Sequence, residues 1–231
     1  MALSPASAFL APPEELAVLT ATPSKALLRL MWGLQGTRMR AIQVADDPAD
    51  PLSPCVPYYN DPWSARCHPI SYEPATVPAI TTITVHEMTL KRWKQSWLEF
   101  HDNHDGVMAS DAQMSQLTTE FPYNHLIQCC GTDRPPAVQG ITVHASGRYL
   151  SVGDYVNTVY PWLMSMRPQI LAAIYETQRY PVSSGSMSLQ IDQFSPAFLM
   201  VYLSLSDDPT ESYEVRSSIS RSVGILLTNI A

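Results

Sequence analysis

Charge is scarce in this chain. Only 15% of its 231 residues are charged, against roughly 25% in an ordinary globular domain. Lysine is nearly missing: Lys25, Lys91 and Lys94 are the only three, beside eleven arginines. Arginine is the more weakly hydrated cation and suits contact surfaces, so the skew points to covered rather than freely solvated surface. The net charge is −7, and no basic run exceeds the Lys91-Arg92-Trp93-Lys94 stretch, so a surface that neutralises phosphates, and with it sequence-specific nucleic-acid binding, is not expected. No run approaches ~18 uninterrupted apolar residues, so no membrane span is expected either. The start of the chain lacks a basic region, and Pro12, Pro13, Glu14 and Glu15 interrupt its only apolar stretch, which does not read as a signal peptide. Cys55, Cys67, Cys129 and Cys130 are too few for a disulfide scaffold; reduced thiols in an intracellular setting are the expectation. The phosphate loop, the dinucleotide glycine fingerprint, the nucleophile elbow and the paired-histidine helix of metalloproteases are all missing from the sequence.

What is present falls into three textures. Residues 1–45 read as an N-terminal helical segment. Pro12 and Pro13 suit a first turn, and Thr22 and Pro23 suit a cap and a second start before Ala26, Leu27, Leu30, Met31 and Leu34, which fall at helical spacing. Residues 46–79 carry prolines at 48, 51, 54, 57, 62, 69, 74 and 78. Proline lacks the N–H that helices and central strands need, so this stretch reads as an extended arm. Tyr58, Tyr59, Trp63 and Tyr72 make it too aromatic for a solvated linker, and these four are the candidate interface residues, packed against the chain's own domain or a neighbouring subunit.

Residues 80–231 read as an α+β core. Residues 79–88 alternate and are β-branched, which predicts a strand; Leu90, Trp93, Trp97 and Phe100 recur at three and four, which predicts an amphipathic helix with Thr89 as candidate cap. A helix is expected over 110–121, another region over 151–179 interrupted at Pro161 or Pro168, and strands in 188–194, 197–205 and 224–230. The letters I-T-V-H occur at 83–86 and again at 141–144, but their surroundings do not match and no repeat is read. The fold class expected is α+β: N-terminal and central helices, a mainly antiparallel sheet formed largely from the C-terminal strands, and the proline-rich extended arm.

The nearest approach to chemistry is Phe100-His101-Asp102-Asn103-His104-Asp105-Gly106. Counted from His101, it resembles an EF-hand calcium loop at Asn103, Asp105 and Gly106, but His101 stands where the first aspartate belongs and Ala112 where a bidentate glutamate closes the site. A transition-metal site on His101, His104, Asp102 and Asp105 is the other candidate, since residues three apart share a helix face, with a third ligand to come from His68, His86, His125 or His144. A Cys–His pair from Cys129 or Cys130 with His125 or His144 is a further arrangement that only a fold can make. The reading preferred over all of these is a polar joint between helices, with Gly106 reversing the chain and no metal or cofactor bound.

Function is therefore expected from contacts. The sequence favours a non-enzymatic structural or assembly protein, such as a viral capsid or coat-type subunit, forming homo- or hetero-oligomers with other protein subunits, inside the cell or in a virion. The alternative is an enzyme or small-ligand protein that uses dispersed His, Asp and Cys residues. If the 101–106 stretch is a joint, replacing His101 and His104 together by Ala changes stability by no more than about 0.5 kcal/mol. Gly106→Val costs more, because a β-branched residue resists positive φ. A large loss from the histidine pair, reproduced when the parent protein is treated with a chelator, reverses that assignment.

Overall fold

The computed structural model describes residues 20–50, 52–60, 67–100, 117–120, 123–126, 135–137, 139–178, 188–192 and 195–204. The chain is α+β, with helices beside mainly antiparallel sheets. In order, the elements are β1 (Thr22–Pro23), α1 (Lys25–Leu28), β2 (Leu30–Trp32), α2 (Arg38–Ala41), β3 (Ile42–Ala45), β4 (Cys55–Pro57), a 3-10 helix (Pro69–Tyr72), β5 (Thr76–Val77), β6 (Thr82–Glu87), α3 (Met88–Phe100), β7 (Leu117–Glu120), β8 (Tyr123–Leu126), β9 (Ile141–His144), α4 (Val152–Ser165), α5 (Arg167–Gln178), β10 (Ser188–Asp192) and β11 (Phe198–Ser204).

The central sheet has the order β10-β11-β6-β9, with β11 and β6 parallel and the other two pairs antiparallel. A second sheet, β2-β3-β4, is antiparallel throughout. The two meet at Gly33, which bridges Gln190 of β10. A Cβ at Gly33 would lie 2.8 Å from Leu189 O, so only glycine permits this approach. Leu34 then donates to Leu189 O at 3.0 Å, and Leu189 donates to the Gln35 side chain at 3.0 Å. α4 packs on β9 and the 3-10 helix, while α3 packs on α5 and β11.

β6 follows the rule of two: Ile83 and Val85 are buried, Thr84 and His86 exposed. α4 opens on a capping box, in which Ser151 Oγ accepts from Asp154 N–H at 3.0 Å and Asp154 Oδ2 accepts from Ser151 N–H at 3.1 Å. Of the two prolines expected to interrupt 151–179, Pro161 sits inside α4, and Pro168 sits in the first turn of α5 after the chain leaves helical geometry at Met166.

Two helices expected from the sequence are not formed as expected. Ser24 rather than Thr22 caps α1, its Oγ accepting from Leu27 N–H at 3.1 Å, and the helix ends after four residues. Leu30 and Trp32 are then buried on either side of a half-buried Met31, an alternation that fits a strand as well as the helical spacing fits a helix; pairing with Ile42–Ala45 decides for the strand. In the region 110–121 the described part, Leu117–Glu120, is a strand paired to Tyr123–Leu126. Thr118 and Thr119 are β-branched, a residue type that favours strands over helices. The expected strand at 224–230 lies outside the described residues.

One cluster of buried side chains joins the two larger sheets and the helices around them, from Ala26 and Leu27 to Leu199 and Val201. Trp32 sits in it 1% exposed, its ring 6.2 Å from Tyr155 and 6.4 Å from Tyr160. The Tyr155 hydroxyl donates to Pro196 O at 2.8 Å, which ties α4 to the approach of β11.

β6 ends at Glu87 while β11 runs on to Ser204, so beyond Leu199 β11 has no backbone partner on its β6 side. Thr89 supplies one. Its Oγ1 donates to Val201 O at 2.9 Å and accepts from Val201 N–H at 3.2 Å, replacing a strand residue with a single hydroxyl. Thr89→Val keeps the shape and leaves Val201 O without its donor in a buried site, while Val201 N–H keeps only its contact with the Glu87 carboxyl, so unfolding in urea is expected to show a loss of about 1–3 kcal/mol. Thr89→Ser is expected to recover most of it.

Candidate functional site

The Thr89 clasp is one half of a junction; Glu87 is the other. Its carboxylate accepts from the N–H groups of Thr89 at 2.9 Å and Leu90 at 2.7 Å, and so caps the first turn of α3. Thr89, expected from sequence to be the cap, is displaced from that role because the longer Glu87 side chain reaches both donors. The hydroxyl is thereby released to bond β11. Glu87 is 2% exposed. Burial pushes its carboxyl above its ordinary value, against hydrogen bonds from the Thr89 side chain and from the backbone of Leu90, Thr89 and Val201 that favour the charged form.

The outer face of β6 and β9 is the most distinctive polar surface among the described residues. The two I-T-V-H segments, read from sequence as a coincidence, lie side by side here. They pair antiparallel as Ile83 with Val143, Thr84 with Thr142 and Val85 with Ile141, so each segment faces the other about a two-fold centred on the threonines. The threonine hydroxyls meet at 3.3 Å, and Thr82 Oγ1 lies 3.3 Å from His144 Nδ1. At the other end the His86 ring lies over Gly140, where any Cβ would come within 2.8 Å of it, and stacks on Phe198 at 5.8 Å between centroids. The face presents hydroxyls and imidazoles in a row, which can donate and accept hydrogen bonds but cannot jointly hold a metal ion. His86 and His144 belong to cross-strand pairs four residues apart, about 13 Å along the strands. Among the described residues, no group of three His, Cys, Asp or Glu side chains is placed to hold a metal.

The residues singled out from sequence are scattered. His101, Asp102, His104 and Asp105 lie outside the described residues, as do Trp63, Cys129 and Cys130. His68 is a structural group: its Nδ1 accepts from Ile70 N–H at 3.2 Å and caps the 3-10 helix, and burial, followed by the nearby Arg29, holds its pKa below the usual imidazole value. Cys55 is exposed and Cys67 half-buried, and neither is in a disulfide. Tyr58 and Tyr59 are buried in the chain's own core, edge to face at 4.8 Å, whereas Tyr72 is 76% exposed.

Leu52, Val56 and Val77 share the exposure of Tyr72, so four of the five large hydrophobic side chains exposed among the described residues come from the proline-rich stretch, the fifth being Leu28. The described residues include no helix long and apolar enough to cross a membrane. Sequence reasoning missed Glu87, although an acidic residue directly before an amphipathic helix is a cap signal. No family model, curated protein or solved structure matches the chain.

The raised pKa of Glu87 has a definite sign. The folded state binds its proton more tightly than the unfolded chain, so its contribution is full below about 4.5 and is lost as pH rises through the folded value. Glu87→Gln removes this dependence and keeps one oxygen to cap α3. The stability of the parent relative to the Gln variant is therefore expected to fall as pH rises from about 4.5 toward 8 in urea denaturation. A difference that stays level or rises contradicts the assignment.

Proposed function

We propose that this chain is a structural subunit that works through protein–protein contacts within a larger assembly, a capsid or coat shell being the form that best suits its composition. The observation that carries the reading is the concentration of exposed apolar side chains in residues 52–77: Leu52 at 69%, Val56 at 42%, Tyr72 at 76% and Val77 at 59%. Exposed apolar groups gathered on one segment favour a partner surface over water.

Two of these are presented on anchored backbone. Tyr149 donates its hydroxyl to Tyr72 O at 3.0 Å, and Thr22 donates its hydroxyl to Val77 O at 3.1 Å, so the side chains point outward from a framework already held in place. Preorganisation of this kind lowers the entropy lost on association. The scarcity of lysine supports the same reading, since lysine is depleted at interfaces.

Sedimentation velocity over a range of concentrations tests it. The parent protein is expected to form a species larger than the monomer, and joint replacement Tyr72→Ser and Val77→Ser is expected to weaken that assembly about tenfold or more. The same pair is expected to leave monomer stability within about 0.5 kcal/mol, as for surface changes. A parent that remains monomeric up to about 100 μM, or assembly indifferent to both substitutions, overturns the reading.

A further inference from the structure

Sheet edges invite pairing unless something guards them, usually a proline, a charge or a covering segment. The edges of the two larger sheets are not guarded alike. β2 and β10 meet through the Gly33–Gln190 bridge. In β4, Tyr58 donates to Ile42 O and Asp46 donates to Pro54 O, which fixes the phase so that residues 55, 57 and 59 face outward. Pro57 has no N–H to offer there, and Tyr59 is bridged by Cys67.

Among the described residues β9 has no such guard. Ala145 donates to Thr81 O at 2.7 Å, so Ile141 and Val143 point their backbone groups toward β6, while Gly140, Thr142 and His144 point theirs outward. Among the described residues, none bonds those outward groups. Thr142 and His144 are exposed. The stretch from Gln139 to Gly147 contains no proline and no Asp, Glu, Lys or Arg, and its centre, Ile141-Thr142-Val143, is wholly β-branched.

We infer that the outer edge of β9 pairs with the same edge of a second copy of this chain, antiparallel about a two-fold axis through Thr142. The inference rests on the assembly reading above and names one of its interfaces. What identifies the occupant is self-complementarity. The segment Ile141–His144 already pairs antiparallel with an identical tetrapeptide, Ile83–His86, inside the fold, with threonine opposite threonine. The phase of the outer edge requires the outward residues to be the hydrogen-bonded ones. Thr142 then exchanges two bonds with Thr142 of the other copy, and Gly140 and His144 of each copy exchange two with His144 and Gly140 of the other. The period of two keeps the threonines of both copies on the open face and Ile141 and Val143 on the helix-covered face, so no side chain changes sides. The central sheets join as β10-β11-β6-β9 and its mirror sequence, eight strands with a continuous row of Thr84, Thr142, Thr142 and Thr84 across the junction. A closed two-fold contact of this kind uses up the edge and does not propagate.

The test uses the full chain. Thr142 is the one residue that meets its own copy, at the Cα separation of about 5.5 Å that a disulfide spans. Under mild oxidation Thr142→Cys is expected to give a covalent dimer as the main product. Thr84→Cys, one strand in from the edge and about 14 Å from its own copy, is expected to give no more than the parent. Thr142→Lys leaves a solvent-facing side chain in place of another and sets like charges opposite each other. Its sedimentation velocity, beside that of Thr142→Pro, which removes the outward N–H, is expected to show a species of half the parent's mass, with circular dichroism unchanged for the Lys variant. Thr142→Cys that cross-links no better than Thr84→Cys, or a Lys variant that keeps the parent's size, overturns the inference while leaving an assembly through residues 52–77 intact. A parent that is monomeric throughout overturns both.

Discussion

The turn from β6 into α3 is the constraint on which the rest of the structure depends. Within three residues the chain stops being a strand and becomes a helix, and the central strand β11 runs on past it, paired with β10 but without a backbone partner on its β6 side. Two side chains resolve both problems. Glu87 takes the first orphan N–H groups of α3, and the Thr89 hydroxyl takes the N–H and C=O of Val201. Backbone groups at such a buried site cost free energy if left unpaired, and here no water is needed to satisfy them. Because the same turn fixes where α3 lies, it also fixes the packing of α3 on α5 and β11.

The proline-rich stretch illustrates how one composition serves opposite ends. Among its described residues only Cys55–Pro57, Pro69–Tyr72 and Thr76–Val77 are regular, and Tyr58, Tyr59, Ile70 and Ala75 are buried in the common core. What remains outside is apolar as well: Leu52, Val56, Tyr72 and Val77. Extended backbone sends side chains to both faces, so a stretch that adheres to its own domain also displays a second set of apolar groups. Pro57 adds a third effect by removing the N–H that would make the β4 edge adhesive. Among its described residues the stretch therefore combines side chains anchored in the core, exposed apolar side chains and, at Pro57, an edge position without an N–H.

The open face of β6 and β9 is different in kind. It carries threonine and histidine in a row and no charged side chain, and its stability comes from Ile83, Val85 and Val143 on the reverse side. Three of the four histidines considered as a third ligand make local contacts: His68 caps a 3-10 helix, His86 lies between Gly140 and Phe198, and His144 meets Thr82.

Local pattern was enough for some elements. The alternation in Thr82–Glu87, the three-and-four spacing in Met88–Phe100, the helical region after Ser151 and the two strands at Ser188–Asp192 and Phe198–Ser204 are all legible from the sequence, because each presents one period to one buried side. The α+β class follows from them. Legibility failed where a segment fits two periods or where a partner far along the chain decides. Leu30–Trp32 became a strand because Ile42–Ala45 lies beside it, and Leu117–Glu120 because of Tyr123–Leu126. The candidate surfaces were less legible still. The prolines and aromatics of residues 46–79 set the expectation of a packed arm, but which aromatics turn inward is a matter of packing, and Tyr58 and Tyr72 look alike in the sequence. That two I-T-V-H segments 58 residues apart share one ladder, and that Glu87 displaces Thr89 as the cap so that Thr89 can hold β11, depends on contacts across the fold that no local period encodes.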